Sequence, residues 1–162
     1  MNVRLVLVAL MGLSIACGCS SSQNTSSTAT SVASTSPMVP SATGGAMAAA
    51  IADGRLIFKT GKDVNGVAIK ARKPPLRPRC AACHRADGSG GMKLPGGVTS
   101  ADLRYKSLVT AQKHPYTQAL LERAISTGID NEGKPLDPVM PRWVLSKRDL
   151  HDVATYVLTQ LK

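Results

Sequence analysis

The stretch Cys80-Ala81-Ala82-Cys83-His84 decides what this chain can be. Two thiols three positions apart can add to the two vinyl groups of a haem, and a histidine directly after them can bind the iron. A bare Cys-x-x-Cys would also admit zinc or a redox dithiol. A zinc site, however, needs a second ligand pair, and the remaining cysteines, Cys17 and Cys19, lie at the N-terminus. A thioredoxin-like dithiol needs a strand before it and a helix after, whereas Pro74, Pro75 and Pro78 precede this motif and a Gly-rich run follows. Cys80 and Cys83 are therefore the expected covalent anchors of one haem c, with His84 as an axial ligand of its iron.

Composition agrees. The 162 residues amount to one domain, and with one Phe, one Trp and three Tyr its core is poor in aromatics. A haem would supply the missing apolar bulk. The formal net charge is +10, and only Arg4 of the basic residues lies near the N-terminus. Such a balance suits an acidic partner protein, an anionic membrane face or nucleic acid. Nucleic acid is not expected, because no binding motif or array of stacking aromatics accompanies the charge.

Residues 1–19 read as an export signal: Asn2 to Arg4 make a short basic start, and the apolar run from Leu5 to Ala16 is too short for a comfortable membrane span. The run ends at Ser14-Ile15-Ala16-Cys17-Gly18-Cys19, which resembles the lipobox of bacterial lipoproteins. Cys19 suits lipidation, because a polar stretch begins directly after it; Cys17 suits it too, and an ordinary cleaved signal is the alternative. Two or three acyl chains would be needed for a stable anchor. Residues 20–45 are Ser, Thr, Ala and Pro with almost no charge, a composition expected of a flexible tether. The expected location is the periplasmic side of a bacterial membrane, lipid-anchored or secreted.

The folded domain is expected over 46–162. Ala46 to Lys59 has helical composition, and Gly54 inside it costs about 1 kcal/mol relative to alanine, which points to close approach by another helix. Ser146 with Asp149 three residues later opens a last helix whose stripe is Leu150, Val153, Val157 and Leu161. Val153 and Tyr156 are placed to pack on Gly54 and Phe58.

With these helices around the Cys-x-x-Cys-His motif, the chain resembles class I (monohaem) cytochrome c from about Ala48 to Lys162. The likeness is carried by Gly54-x-x-x-Phe58, Cys80 to His84, Met140-Pro141-Arg142-Trp143 and the helix containing Tyr156. It implies an all-α cytochrome c fold whose N- and C-terminal helices cross beside the haem. It also implies that Met140 is the second axial ligand, with Trp143 among its supporting residues, and that the Pro95 carbonyl accepts the His84 N–H. Pro95 shaping a loop with Gly96 and Gly97 is the alternative. Independently of the family, a thioether is a soft, uncharged donor that favours ferrous iron. Met92, His114 and His151 are rival ligands, the two histidines expected to face solvent. Gly88, Gly90 and Gly91 are expected to bring backbone close to the haem edge and Leu103 to pack under the ring. A middle helix is expected to open at His114-Pro115 and to end at Gly128, with Leu120, Leu121, Ala124 and Ile125 inward.

Thr60-Gly61-x-Asp63-x-x-Gly66-x-x-Ile69 recurs as Thr127-Gly128-x-Asp130-x-x-Gly133-x-x-Leu136. Asp and Gly at those offsets suit hairpin turns, expected as two short β-hairpins that pair beside the haem. The first copy lies in a segment between Phe58 and Cys80 that is longer than a minimal cytochrome c uses. That segment and its flanks carry Lys59, Lys62, Lys70, Arg72, Lys73, Arg77, Arg79 and Arg85 against Asp63 alone. The charge can guide an acidic redox partner to the haem edge or simply keep a loop solvated, and Arg79 can also pair with a haem propionate.

The expected function is a periplasmic one-electron carrier and not an enzyme, since no catalytic constellation accompanies the haem motif. A haem domain with an open or labile sixth site, acting as gas sensor or enzyme, is the alternative. So is an electron-entry subunit of a larger oxidoreductase.

Overall fold

The computed structural model describes residues 42–162. The expected signal, both lipobox-like cysteines and nearly all of the tether lie outside the described residues. Helix α1 spans Ala42–Thr60, so it starts before the composition boundary at Ala46. Its first turn holds Gly44 and Gly45, poor helix formers at the end of the stretch whose Ser, Thr, Ala and Pro composition reads as tether.

Helix α4, Lys147–Gln160, packs against α1. Its start is fixed by Ser146, whose hydroxyl accepts the Asp149 N–H at 3.1 Å. The close approach is built on Gly54: a Cβ there would lie 2.6 Å from the Asp152 carbonyl carbon and 2.8 Å from Tyr156 Cβ. One turn on, the Phe58 and Tyr156 rings meet at 5.6 Å with a 48° tilt. Ile57, Phe58, Val153 and Val157 are fully buried, each contributing roughly 1.5–3 kcal/mol. The α1–α4 contact also buries two carboxylates, Asp53 and Asp152. Neither Asp53 oxygen has a hydrogen-bond partner, and the nearest cation is Arg148 at 3.9 Å. Burial and the neighbouring Asp53 push the Asp152 carboxyl up.

Between these helices lie α2, Ala81–His84, and α3, Gln118–Thr127. α3 starts later than His114, because Thr117 takes the N-cap and accepts the Leu120 N–H at 3.3 Å. Gly128 ends it as expected, in the left-handed region at φ 75°. Leu121, Ala124 and Ile125 are its buried face, while Leu120 is only partly covered. A π-helical turn at Lys106–Thr110, which no sequence pattern announced, buries Leu108. Among the described residues no helix is long and apolar enough to cross a membrane.

Both copies of the repeat are hairpins, with bridges Lys62 to Ala68 and Ile129 to Pro135. They do not pair with each other. The chain leaving the first hairpin forms β1, Lys70–Ala71, whose antiparallel partner is β2, Trp143–Val144. Lys70 faces Val144 and Ala71 faces Trp143. The first hairpin's exit strand therefore takes the segment just after Met140 as its partner, and the architecture is helical with one two-stranded ribbon.

Candidate functional site

Cys80 to His84 make a single helical turn in which the N–H groups of Cys83 and His84 both donate to the Cys80 carbonyl, at 3.1 and 2.9 Å. The turn ends at Arg85, whose φ of 64° is positive without the help of a glycine. His84 is only 8 % exposed, and its Nδ1 lies 2.8 Å from the Ala101 carbonyl. A ring nitrogen facing a carbonyl is the protonated one, so the lone pair is left on Nε2. Burial lowers the His84 pKa and keeps the ring neutral, the form that binds metals.

The carbonyl that orients His84 thus belongs to Ala101 and not to Pro95. The reason lies in the path of the chain from Met92 to Ser100. It folds on itself through Gly96 and Gly97 at φ 76° and 78°, with a bridge from Lys93 to Thr99, and carries Pro95 to an exposed tip. The returning strand reaches the haem motif at Ser100, whose hydroxyl donates to the Cys83 carbonyl at 2.8 Å and accepts the Met92 N–H at 2.9 Å. The glycines after the motif also serve another purpose. A side chain at Gly88 would strike Leu161 and one at Gly90 would strike the backbone of Ser100 and Ala101, so these glycines let the chain close up behind the wall that Ser100 and Ala101 form and do not line the cavity themselves.

The two cysteines and His84 line a cavity of about 490 Å³, within the usual range of cofactor sites. Phe58 of α1, Leu121 and Ile125 of α3 and Val153 and Val157 of α4 give it apolar walls. Leu103 and the unannounced Leu108 and Tyr116 complete them. Met140 lines the same cavity; Met92 does not. Trp143 also lines it at 3 % exposure, held by its pairing with Ala71. Arg79, Arg77 and Leu76 line it while remaining exposed, which puts them at its mouth. His114 and His151 are exposed and line no part of it; His151 meets Glu122 at 3.2 Å instead. Asp102, on the wall, is held well below the usual carboxylate range by the Arg104 guanidinium, which donates to it at 2.6 to 3.1 Å.

This chemistry fits a haem bound through thioethers. Burial of its sulfur pushes the Cys80 thiol up to about 12 and raises that of Cys83 as well. Such thiols are poor thiolate ligands or redox nucleophiles, whereas a thioether carries no charge to bury. Among the described residues no three or more His, Cys, Asp or Glu side chains converge to hold a metal by themselves. Ala101 and Ser100 were missed because the groups they offer, a carbonyl and a small hydroxyl, carry no distinguishing sequence signal.

Residues 51–160 match the family model described as cytochrome c. No curated protein and no solved structure matches the chain. On the match across most of its length, joined to an apolar cavity walled by Cys80, Cys83 and His84, the chain belongs to the cytochrome c family, which implies covalently bound haem c and an electron-transfer role.

Proposed function

We propose that this protein is a one-haem electron carrier of the periplasm, held to a membrane by lipid on Cys19 or Cys17. The observation that carries the redox part is that His84 and Met140 share one apolar cavity with both thiols. When bound, the haem supplies a one-electron couple. Cys80 and Cys83 would hold it, Ala101 fixes the His84 ring, and Met140 would supply the uncharged sulfur that favours the reduced state. Leu103, Leu108 and Trp143, which line the same cavity, would keep water from the bound haem. Were His84 and Met140 both to bind the iron, no position would be left for a substrate, which favours a carrier over a gas-binding domain.

The partner is an acidic protein. Lys59, Lys62, Lys70, Arg72, Lys73, Arg77, Arg79 and Arg85 are all exposed, and Arg77 and Arg79 stand at the cavity mouth beside Leu76, itself 56 % exposed. An apolar centre ringed by one sign of charge suits fast, short-lived docking. The lipid anchor rests on the sequence around Cys17 and Cys19.

The deciding test is the visible spectrum of the ferric, haem-loaded protein. A weak far-red sulfur-to-iron band that Met140→Ala abolishes is expected. Its absence from the wild type removes Met140 as a ligand and favours a domain with an open sixth site.

A further inference from the structure

The loop that delivers Met140 is held from behind by one side chain. Between Leu136 and Pro141 the chain makes a tight turn, with the Val139 N–H on the Asp137 carboxylate at 2.8 Å and the Met140 N–H on the Asp137 carbonyl at 3.1 Å. Three carbonyls of this turn converge on Arg142. Its Nη2 donates to Leu136 O at 2.6 Å, and its Nη1 donates to Asp137 O at 3.1 Å and to Met140 O. The guanidinium has room because it lies over Gly128, where a Cβ would overlap Arg142 Nε, Cζ and Cδ. The Arg142 backbone is fixed as well, since its carbonyl accepts the Arg72 N–H at 2.9 Å and the next residue enters the ribbon. Met140, Pro141 and Trp143 line the cavity, whereas Arg142 does not.

We propose that Arg142 is a positioning residue for the axial sulfur: its fork ties the Met140 loop shut and sets how readily Met140 leaves the iron. The proposal rests on Met140 being the ligand. A planar fork can span three carbonyls at once, which a lysine ammonium at the end of a flexible stem cannot reproduce. Glutamine keeps a donor but not the reach or the charge. The effect is on the equilibrium between a closed and an open loop, since Arg142 does not touch the cavity.

The test uses ferric, haem-loaded protein and imidazole, which binds only when the sixth position is free. Wild type, Arg142→Lys, Arg142→Gln, Met140→Ala and the double variant of Met140→Ala with Arg142→Gln are compared by far-red band and imidazole affinity. The expected result is that R142Q binds imidazole about tenfold tighter than wild type, R142K lying between, with far-UV circular dichroism unchanged. In the M140A background R142Q should add nothing, because no sulfur remains to be held. A wild type without the far-red band sinks the Met140 assignment, whatever Arg142 does. A wild-type band with imidazole affinity unmoved in R142K and R142Q overturns the role of Arg142 alone, as does a tenfold effect that persists in M140A. If R142Q does not fold, R142K carries the same decision.

Discussion

The two hairpins at 60–69 and 127–136 have nearly the same backbone and prop up different walls of the cavity. In each, the glycine after the helix bonds back to it, Gly61 to Ile57 and Gly128 to Ala124, both at 3.0 Å. In each, the aspartate side chain collects two N–H groups: Asp63 those of Asn65 and Val67 at 2.9 and 2.7 Å, Asp130 those of Glu132 and Lys134 at 2.9 and 2.7 Å. The difference is in what each glycine touches. Gly61 lies against the Pro78 carbonyl and Arg79, the backbone that leads into Cys80, whereas Gly128 lies against the guanidinium behind Met140. One hairpin thus buttresses the thiol side through main chain, and the other buttresses the sulfur side through a movable side chain. The same turn can be a rigid stop or a sprung one, according to its neighbour.

Breaking the rigid stop should have the largest effect. Gly61→Ala puts a Cβ into the Pro78 carbonyl at φ 74° and is expected to cost roughly 2–4 kcal/mol in urea unfolding, with a lower yield of covalently attached haem. Gly128→Ala meets the same backbone penalty, but the Arg142 side chain can swing away, so about 1–2 kcal/mol is expected. Its signature should instead be a weakened far-red band with haem attachment unaltered. Equal losses of attached haem in both variants would erase the contrast.

A smaller effect separates the hairpins from the α1–α4 contact. Asp130→Ala, which loses both N–H contacts of its turn, should cost about 1 kcal/mol. Asp63 is held below its ordinary value of 3.8 by the Val67 N–H. Its contribution is therefore present above that value and lost as pH falls further. Asp152 runs the other way: its folded pKa is raised, so its contribution is present below 3.8 and is lost as pH rises through the folded value. Asp152→Asn should accordingly raise the neutral-pH melting temperature by a few degrees, and the gain should shrink on acidification. A gain that grows in acid would refute the assignment. The smallest change in stability is expected for Arg77→Gln with Arg79→Gln. These should leave the melting curve unmoved, while stopped-flow electron exchange with an acidic redox protein slows and loses part of its salt dependence.

What could be read in the sequence was whatever is written in residue type at fixed spacing. Gly54 announced the close approach of α4 to α1, Ser146 the start of α4, and the Thr-Gly-x-Asp repeat both hairpins, because each is a local rule with one physical cause. The chemistry of Cys80 to His84 was equally local. Met140 was legible as a candidate, and the structure puts it on the cavity wall with His84. The Ala101 carbonyl was hidden, because any residue offers one and only the fold-back at Gly96 and Gly97 decides which arrives at His84. Arg142 was hidden for a similar cause: its partners are three carbonyls that exist as a cluster only after the loop has closed. The shared ribbon was missed because two-residue strands leave no periodicity to detect.

That ribbon ties the fate of two distant stretches together. Side chains alternate between its faces, so Trp143 is buried while Val144 is 55 % exposed. A slip of one residue between β1 and β2 would turn the indole outward and the valine inward, and would shift the Arg72 N–H away from the Arg142 carbonyl. The basic segment is thus a ruler: a residue inserted between Ile69 and Lys70 would be read out some seventy positions later, at the cavity wall.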